Sequence, residues 1–253
     1  MVVCAPVASV YAEPCFSSQQ TDEILYGEKA ELLQKYNGFC KIKTDYGYIG
    51  FVAENCLCSN DYKPNYIVIS HFCDLLPEPK FYYNPLHTLP FGSQIKIVDI
   101  SENARFAIAE APNGDKLYIH KSHISPIKTA KIKESVFRPS VTETAKKFLG
   151  VQYRWGGRTP KGIDCSGLCF NSYRYNGVTI WRDADITRSD NLREIPMSQI
   201  KPGDLLFFKG HIAMYLGNGE IIHSSASSGK VVCEKWEKNP YLKEIFICVG
   251  TLF

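Results

Sequence analysis

The sequence predicts an α+β protein in which two small all-β units precede a domain that runs helix first and antiparallel sheet second. Three observations predict it. Over residues 1–127, short β-branched and aromatic runs are cut by turn signals such as YNG, TDYG and PNG. A weak internal repeat lies inside that stretch. From residue 140 onward, two helical segments come before a series of short apolar runs.

The repeat carries the first two units. Residues 23–52 and 88–119 each run from a leucine and a glycine (Leu25 and Gly27, Leu89 and Gly92) into strand, turn, strand, a Gly-containing turn and strand. Two copies suggest two small barrels in tandem, residues 1–59 and 66–127, with 60–65 as linker. Residues 128–139 are charged, end in Pro139 and read as a connector to a domain over 140–253. Ser140 with Glu143 forms a capping-box pattern, so a helix is expected from there to about residue 149, stopping at Gly150. The Gly-rich YRWGGRTPKG is too irregular for an element. A second helix is expected to start at Cys165, with Asp164 as N-cap and Gly177 as C-cap. DLLFF, IAMYL, EIIHS, KVVCEKW and EIFICVG then read as antiparallel strands.

Apolar residues make up 45% and charged residues 22%, an ordinary soluble composition. A net charge of +3, with no basic stripe, gives no reason to expect nucleic acid. No stretch approaches the roughly 20 apolar residues of a membrane span. The N-terminus lacks the positive region of a signal peptide, and Pro6 interrupts its apolar run. The chain therefore stays inside, leaves by another route or has lost a leader; a monomer is expected. The ten cysteines show no CxxC pair and no zinc spacing, and most are expected to be reduced, buried small hydrophobes.

One cysteine stands apart. A thiol attacks as thiolate, and the first turn of a helix favours the anion. Cys165 has that place. His211 begins one strand just after Gly210, and His223 ends the next. If Leu216 pairs with Glu220, His223 falls opposite Ala213, on the face of His211. A plain two-residue NG turn puts the histidines on opposite faces, so a three-residue turn or a bulge is expected. His211 would be the base and His223 the group that orients it. Activity should then fall as the pH drops through an imidazole titration between about 4 and 7. His71, His87, His120 and His123 are expected to be satisfied core residues.

The repeat, through YGE (26–28) and DYGYIGFV (45–52), resembles bacterial-type SH3 domains, which implies that both β units are SH3-like barrels. YRWGG (153–157), GIDCSGLCF (162–170), IKPGDLLFF (200–208) and GHIAMYLGNGEIIHSS (210–225) resemble the NlpC/P60 family of papain-like cysteine peptidases. The resemblance implies an endopeptidase that cuts peptidoglycan stem peptides between γ-D-glutamate and diaminopimelate or lysine, without metal or cofactor. It implies Cys165 as nucleophile, His211 as base, His223 as the polar third residue and Tyr153 as an oxyanion donor beside the Cys165 N–H. It places Asp164 and Ser166 against the peptide's free L-alanine amine and D-glutamate; plain helix capping is the other reading of Asp164. Trp155 would shape the pocket or pack beneath it. Arg182 and Arg188 fall in a loop and are read as solvated. The family often uses a preceding barrel to wall off the substrate site, which points to Glu28 and Tyr48. Two alternatives stay open: an N-acetylmuramoyl–L-alanine amidase or cross-bridge peptidase of the same fold, or a wall-binding protein with a vestigial catalytic domain.

Overall fold

Strict alternation makes strands with one covered face. Val7–Tyr11 and Phe106–Glu110 each alternate half-buried and buried residues, as a pleated strand packed on one side must. The computed structural model describes residues 1–59, 61–100, 104–128 and 132–253, and divides the chain into two units, Met1–Ile127 and Lys128–Phe253. Asn60 of the expected linker and residues 129–131 of the expected connector lie outside the described residues.

In the first unit both copies of the repeat fold as a three-stranded antiparallel meander. One runs Ala30–Tyr36, Phe39–Thr44, Ile49–Ala53; the other runs Gln94–Asp99, Phe106–Glu110, Lys116–His120. Each meander is extended to a five-stranded antiparallel sheet, the first by Val7–Tyr11 and Gln20–Leu25, the second by Tyr66–Val68 and Ile124–Pro126. The expected barrels are not closed: in neither copy does the strand order return on itself. In the first copy the chain between Gln20–Leu25 and Ala30–Tyr36 is taken up by a tight turn. There the Leu25 N–H donates to the Glu28 carboxylate at 2.9 Å and the Glu28 N–H to the Leu25 carbonyl at 3.0 Å. Gly27 in that turn has φ +79°, and a Cβ would stand 2.0 Å from the Gln94 carbonyl oxygen, so only glycine fits. Tyr26 reaches into the second copy's core with Val68, Leu75, Leu89 and Ile95.

The second unit packs helices on one six-stranded antiparallel sheet. The strand order is Arg193–Ile195, Phe246–Thr251, Leu205–Phe208, His211–Gly217, Glu220–Ser225, Lys230–Lys235. All four residues of Leu205–Phe208 are buried, so this strand is covered on both faces. Helix α1 spans Glu134–Lys146, not the expected start at Ser140, and Pro139 lies inside it. Two contacts hold the earlier turn in place. Phe137 is buried edge-to-face on Tyr173 at 5.1 Å, and Arg138 pairs with Asp204 at 2.8 Å while donating to the Pro202 carbonyl at 2.9 Å. They outweigh the backbone bond that Pro139 cannot donate.

Helix α2 spans Cys165–Tyr175, with the Asp164 side chain capping the Gly167 N–H and Gly177 in the left-handed region after the end. Helix α3, Pro240–Ile245, takes the start of the run expected to be all strand. Asn239 caps it and Pro240 opens it, a start signal that outranks the apolar run behind it. The YRWGGRTPKG stretch is less irregular than expected, since Arg158–Thr159 pairs with Gly162–Ile163. Among the described residues no helix is long and apolar enough to cross a membrane.

Candidate active site

The start of α2 is the anchor of the site. Asp164 is buried and its carboxylate is met by five donors: the Gly167 N–H at 2.6 Å, the Gly156 N–H at 2.8 Å, the Ser166 hydroxyl at 3.2 Å and two Arg182 nitrogens at 3.0 and 3.1 Å. Arg182 is fully buried, and also donates to Ser166 Oγ at 2.8 Å and to the Gly157 carbonyl at 3.4 Å. It is therefore not the solvated loop residue the sequence suggested. A buried guanidinium needs a bidentate partner, and Asp164 supplies it. Arg188 is exposed and lies 3.5 Å over the Trp181 ring. Gly167 is demanded by closeness, because a Cβ there would stand 2.4 Å from the Gly157 carbonyl oxygen. Helix start, 154–157 turn and Arg182 loop are thus locked together.

Cys165 opens the helix and is 8% exposed. The backbone N–H groups of Ile212 and Ser166 both reach its sulfur. The thiol is thereby set against the start of the His211–Gly217 strand. Burial, then the Asp164 charge, pushes the thiol up to about 12, against the two N–H groups and Arg182, which pull it down. The helix N-terminus does favour the anion, but burial outweighs it, and the resting sulfur is a thiol.

His211 is the next group. Its Nε2 lies 2.8 Å from His223 Nδ1, with the rings edge-to-face at a centroid distance of 4.9 Å. The hairpin between them explains the pairing. Asn218 and Gly219 make a two-residue turn, both at positive φ, with Gly217 opposite Glu220. Leu216 is then skipped as a bulge, so Tyr215 pairs with Ile221 and Met214 with Ile222. The bulge resets the ladder so that His223 falls on the face of His211, one of the two arrangements the sequence allowed. Burial, then His223, lowers the His211 imidazole to about 3. Thiol and imidazole therefore both rest neutral.

Sequence reasoning missed Glu234. It stands on Lys230–Lys235, where Val232 pairs with His223, so Glu234 is the diagonal neighbour of that histidine. His223 is buried, and its Nε2 lies 2.7 Å from Glu234 Oε1. The available signal was a carboxylate among the outward residues of KVVCEKW, but only the register of a third strand turns it into a neighbour.

Tyr153 is half-buried, and its phenol is pushed up to about 12 by burial first, then by Cys165 and Asp164. It is an electrostatic neighbour of the nucleophile and holds its proton. Trp155 is 59% exposed, so it packs beneath nothing; it stands out from the turn whose next residue, Gly156, donates to Asp164. Glu28 and Tyr48 belong to the first unit. Glu28 is buried, with its carboxylate on the Leu25 N–H, and the Tyr48 N–H donates to Thr44 Oγ1 at 2.9 Å. None of His71, His87, His120 and His123 is buried, contrary to a core role; His120 and His123 bond serine hydroxyls at 2.7 and 2.9 Å.

The model of the NlpC/P60 family matches residues 150–250, and that of the bacterial SH3 domain matches residues 6–57. A dipeptidyl-peptidase 6 of Lysinibacillus sphaericus is 34% identical over 268 aligned residues, covering 100% of this chain and 99% of that one. A gamma-D-glutamyl-L-lysine dipeptidyl-peptidase of Bacillus cereus is 26% identical, covering 88% of this chain and 72% of the relative. The crystal structure of an NlpC/P60 family protein from Bacillus cereus superposes with a TM-score of 0.83 at 21% identity over 98% of this chain and 97% of that one, a likeness of fold. A relative matched end to end, and a family match over the segment that holds Cys165, His211 and His223, make this chain a member of the NlpC/P60 family.

Proposed function

We propose that the protein is a cysteine peptidase of peptidoglycan that cuts the bond between γ-D-glutamate and the following diamino acid of stem peptides. The observation that carries this reading is the hydrogen-bonded His211–His223 pair on the strand start whose Ile212 N–H reaches the Cys165 sulfur. The bond is taken from the relatives, two of which are gamma-D-glutamyl-L-lysine dipeptidyl-peptidases.

With thiol and imidazole both neutral at rest, His211 takes the thiol proton as the sulfur attacks the γ-carbonyl. The Cys165 N–H and the Tyr153 hydroxyl meet the developing oxyanion; a phenol held in its protonated form can donate there. Collapse expels the diamino acid amine, which takes the proton back from His211, and leaves a thioester on Cys165. Water, activated by the same imidazole, releases the glutamyl product and restores the thiol.

Trp155, exposed above the 154–157 turn, covers the bound peptide. Ser166 lines the end that takes the L-alanyl-γ-D-glutamyl part. Asp164 contributes there by fixing Ser166 and the Gly156 N–H, since its own oxygens are already engaged. The two β units of residues 1–59 and 66–127 are proposed to be SH3-like.

Mass spectrometry of products from defined tri- and tetrapeptides, with and without muramic acid on L-alanine, tests the bond. A free L-alanyl-γ-D-glutamate product is expected. Release of an intact stem peptide from muramic acid would replace this reading with an amidase.

A further inference from the structure

We infer that Glu234 is a positioning residue that sets the proton order of the His211–His223 pair, leaving the His211 Nδ1 lone pair as the base. The inference deepens the reading of Cys165 and His211 as nucleophile and base, and rests on it.

A neutral imidazole has one N–H and one bare nitrogen. The His223–His211 pair therefore has two proton orders, and only one of them leaves a base. A carboxylate accepts and does not donate, so the 2.7 Å bond from His223 Nε2 to Glu234 Oε1 places the His223 proton on Nε2. His223 Nδ1 is then bare and accepts from His211 Nε2 at 2.8 Å. The His211 proton is thus on Nε2, and Nδ1 is the nitrogen free to take the thiol proton. With the order reversed, His211 carries its proton on Nδ1, and its lone pair is spent on His223. Nothing in the two rings alone selects between these orders. The carboxylate selects, and its charge also meets the imidazolium that forms at His211 through His223.

Glu234 is itself held. Asn239 Nδ2 lies 3.4 Å from Oε1 and 3.3 Å from Oε2, while Asn239 Oδ1 caps the Leu242 N–H at the start of α3. The carboxylate is 31% exposed on the outermost strand of the sheet, whereas His223 is 3% exposed. Such a place on the sheet edge allows substitution without a cavity in the core.

The test uses the full chain and no substrate, so an error in the proposed bond does not affect it. Nitrogen-15 NMR of histidine-labelled protein reads the tautomers, and site-resolved mass spectrometry reads iodoacetamide alkylation of Cys165. In the native protein both histidines are expected as Nε2–H tautomers. Glu234→Ala should shift His223 toward Nδ1–H and slow Cys165 alkylation about 10- to 100-fold, the scale of losing a group that orients a functional histidine. Glu234→Gln keeps an acceptor oxygen and should stay within about tenfold of native. Glu234→Lys replaces the acceptor by a donor at a part-exposed position, and should slow alkylation at least as far as alanine; it carries the test if the alanine variant does not fold. Unchanged tautomers and alkylation in the alanine or lysine variant would overturn the inference, as would a glutamine variant as slow as alanine. His211→Ala serves as the control on the underlying reading: alkylation indifferent to it sinks the Cys165–His211 assignment, whatever Glu234 does to the tautomers.

Discussion

A thiol pushed up to about 12 and an imidazole lowered to about 3 cannot rest as an ion pair, so Cys165 depends on His211 at the moment of attack. Cys165→Ala should abolish stem-peptide hydrolysis while leaving the thermal midpoint within a few degrees of native; residual turnover in that variant would remove the nucleophile assignment. The same burial revises the pH profile expected from the sequence. A base whose folded value is depressed stays neutral, and usable, until the pH falls toward that value. The acid limb of kcat/KM should therefore lie toward about 3, below the window of about 4 to 7 expected of an ordinary imidazole. A limb centred near 6.5 would show that His211 titrates as an exposed histidine. Stability should follow with the same sign. The unfolded chain takes up the His211 proton first as the pH falls, so the contribution is full above about 6.5 and is lost on the way down toward 3. Cys165 and His211 were legible because each opens an element that the sequence marks, and His223 because it lies on the strand that follows the NG turn. Burial, which sets their protonation, is not marked by any local pattern.

At the level of elements, the start of α2 hangs on one buried ion pair. Arg182→Ala leaves Asp164 buried without its bidentate partner, and should destabilise the protein by about 3–5 kcal/mol, read by denaturant or thermal unfolding. A cost below about 1 kcal/mol would mean that the pair is solvated after all. Gly167→Ala forces a Cβ into the Gly157 carbonyl and should lower activity through a displaced helix start, seen as a loss of turnover larger than the loss of stability. The N-cap at Asp164 and the glycine after α2 were readable, since both are local signals. The start of α1 was not. Ser140 and Glu143 offer a capping box, but Phe137 and Arg138 are bound by residues far along the chain, and those bonds pull the helix back to Glu134. The hairpin falls between these cases. Its NG turn was plain, while the Leu216 bulge that aligns the histidines is a choice between two registers that the local sequence leaves equal.

Across the whole chain, ten cysteines occur and all ten are free. Only Cys40, Cys73, Cys165 and Cys169 are buried; Cys15 and Cys233 are exposed, against the expectation that most would be hidden. Thiol titration in denaturant should count ten, and reductant should leave the unfolding midpoint unchanged; a midpoint that drops with reductant would reveal a disulfide. The internal repeat was legible from its glycines and turn spacing, and both copies fold as meanders. Whether a meander closes into a barrel depends on pairing between strands at opposite ends of a copy, which no local signal carries. By itself the sequence determined the periodicity of its strands, the caps of α2, and the residue types a thiol peptidase needs, because these depend on neighbours within a few positions. Only the tertiary structure decided that Arg182 is buried on Asp164, that Glu234 stands on His223, and that nucleophile and base rest uncharged. Those depend on which distant groups share a water-poor interior, where the cost of a lone charge outweighs every local preference.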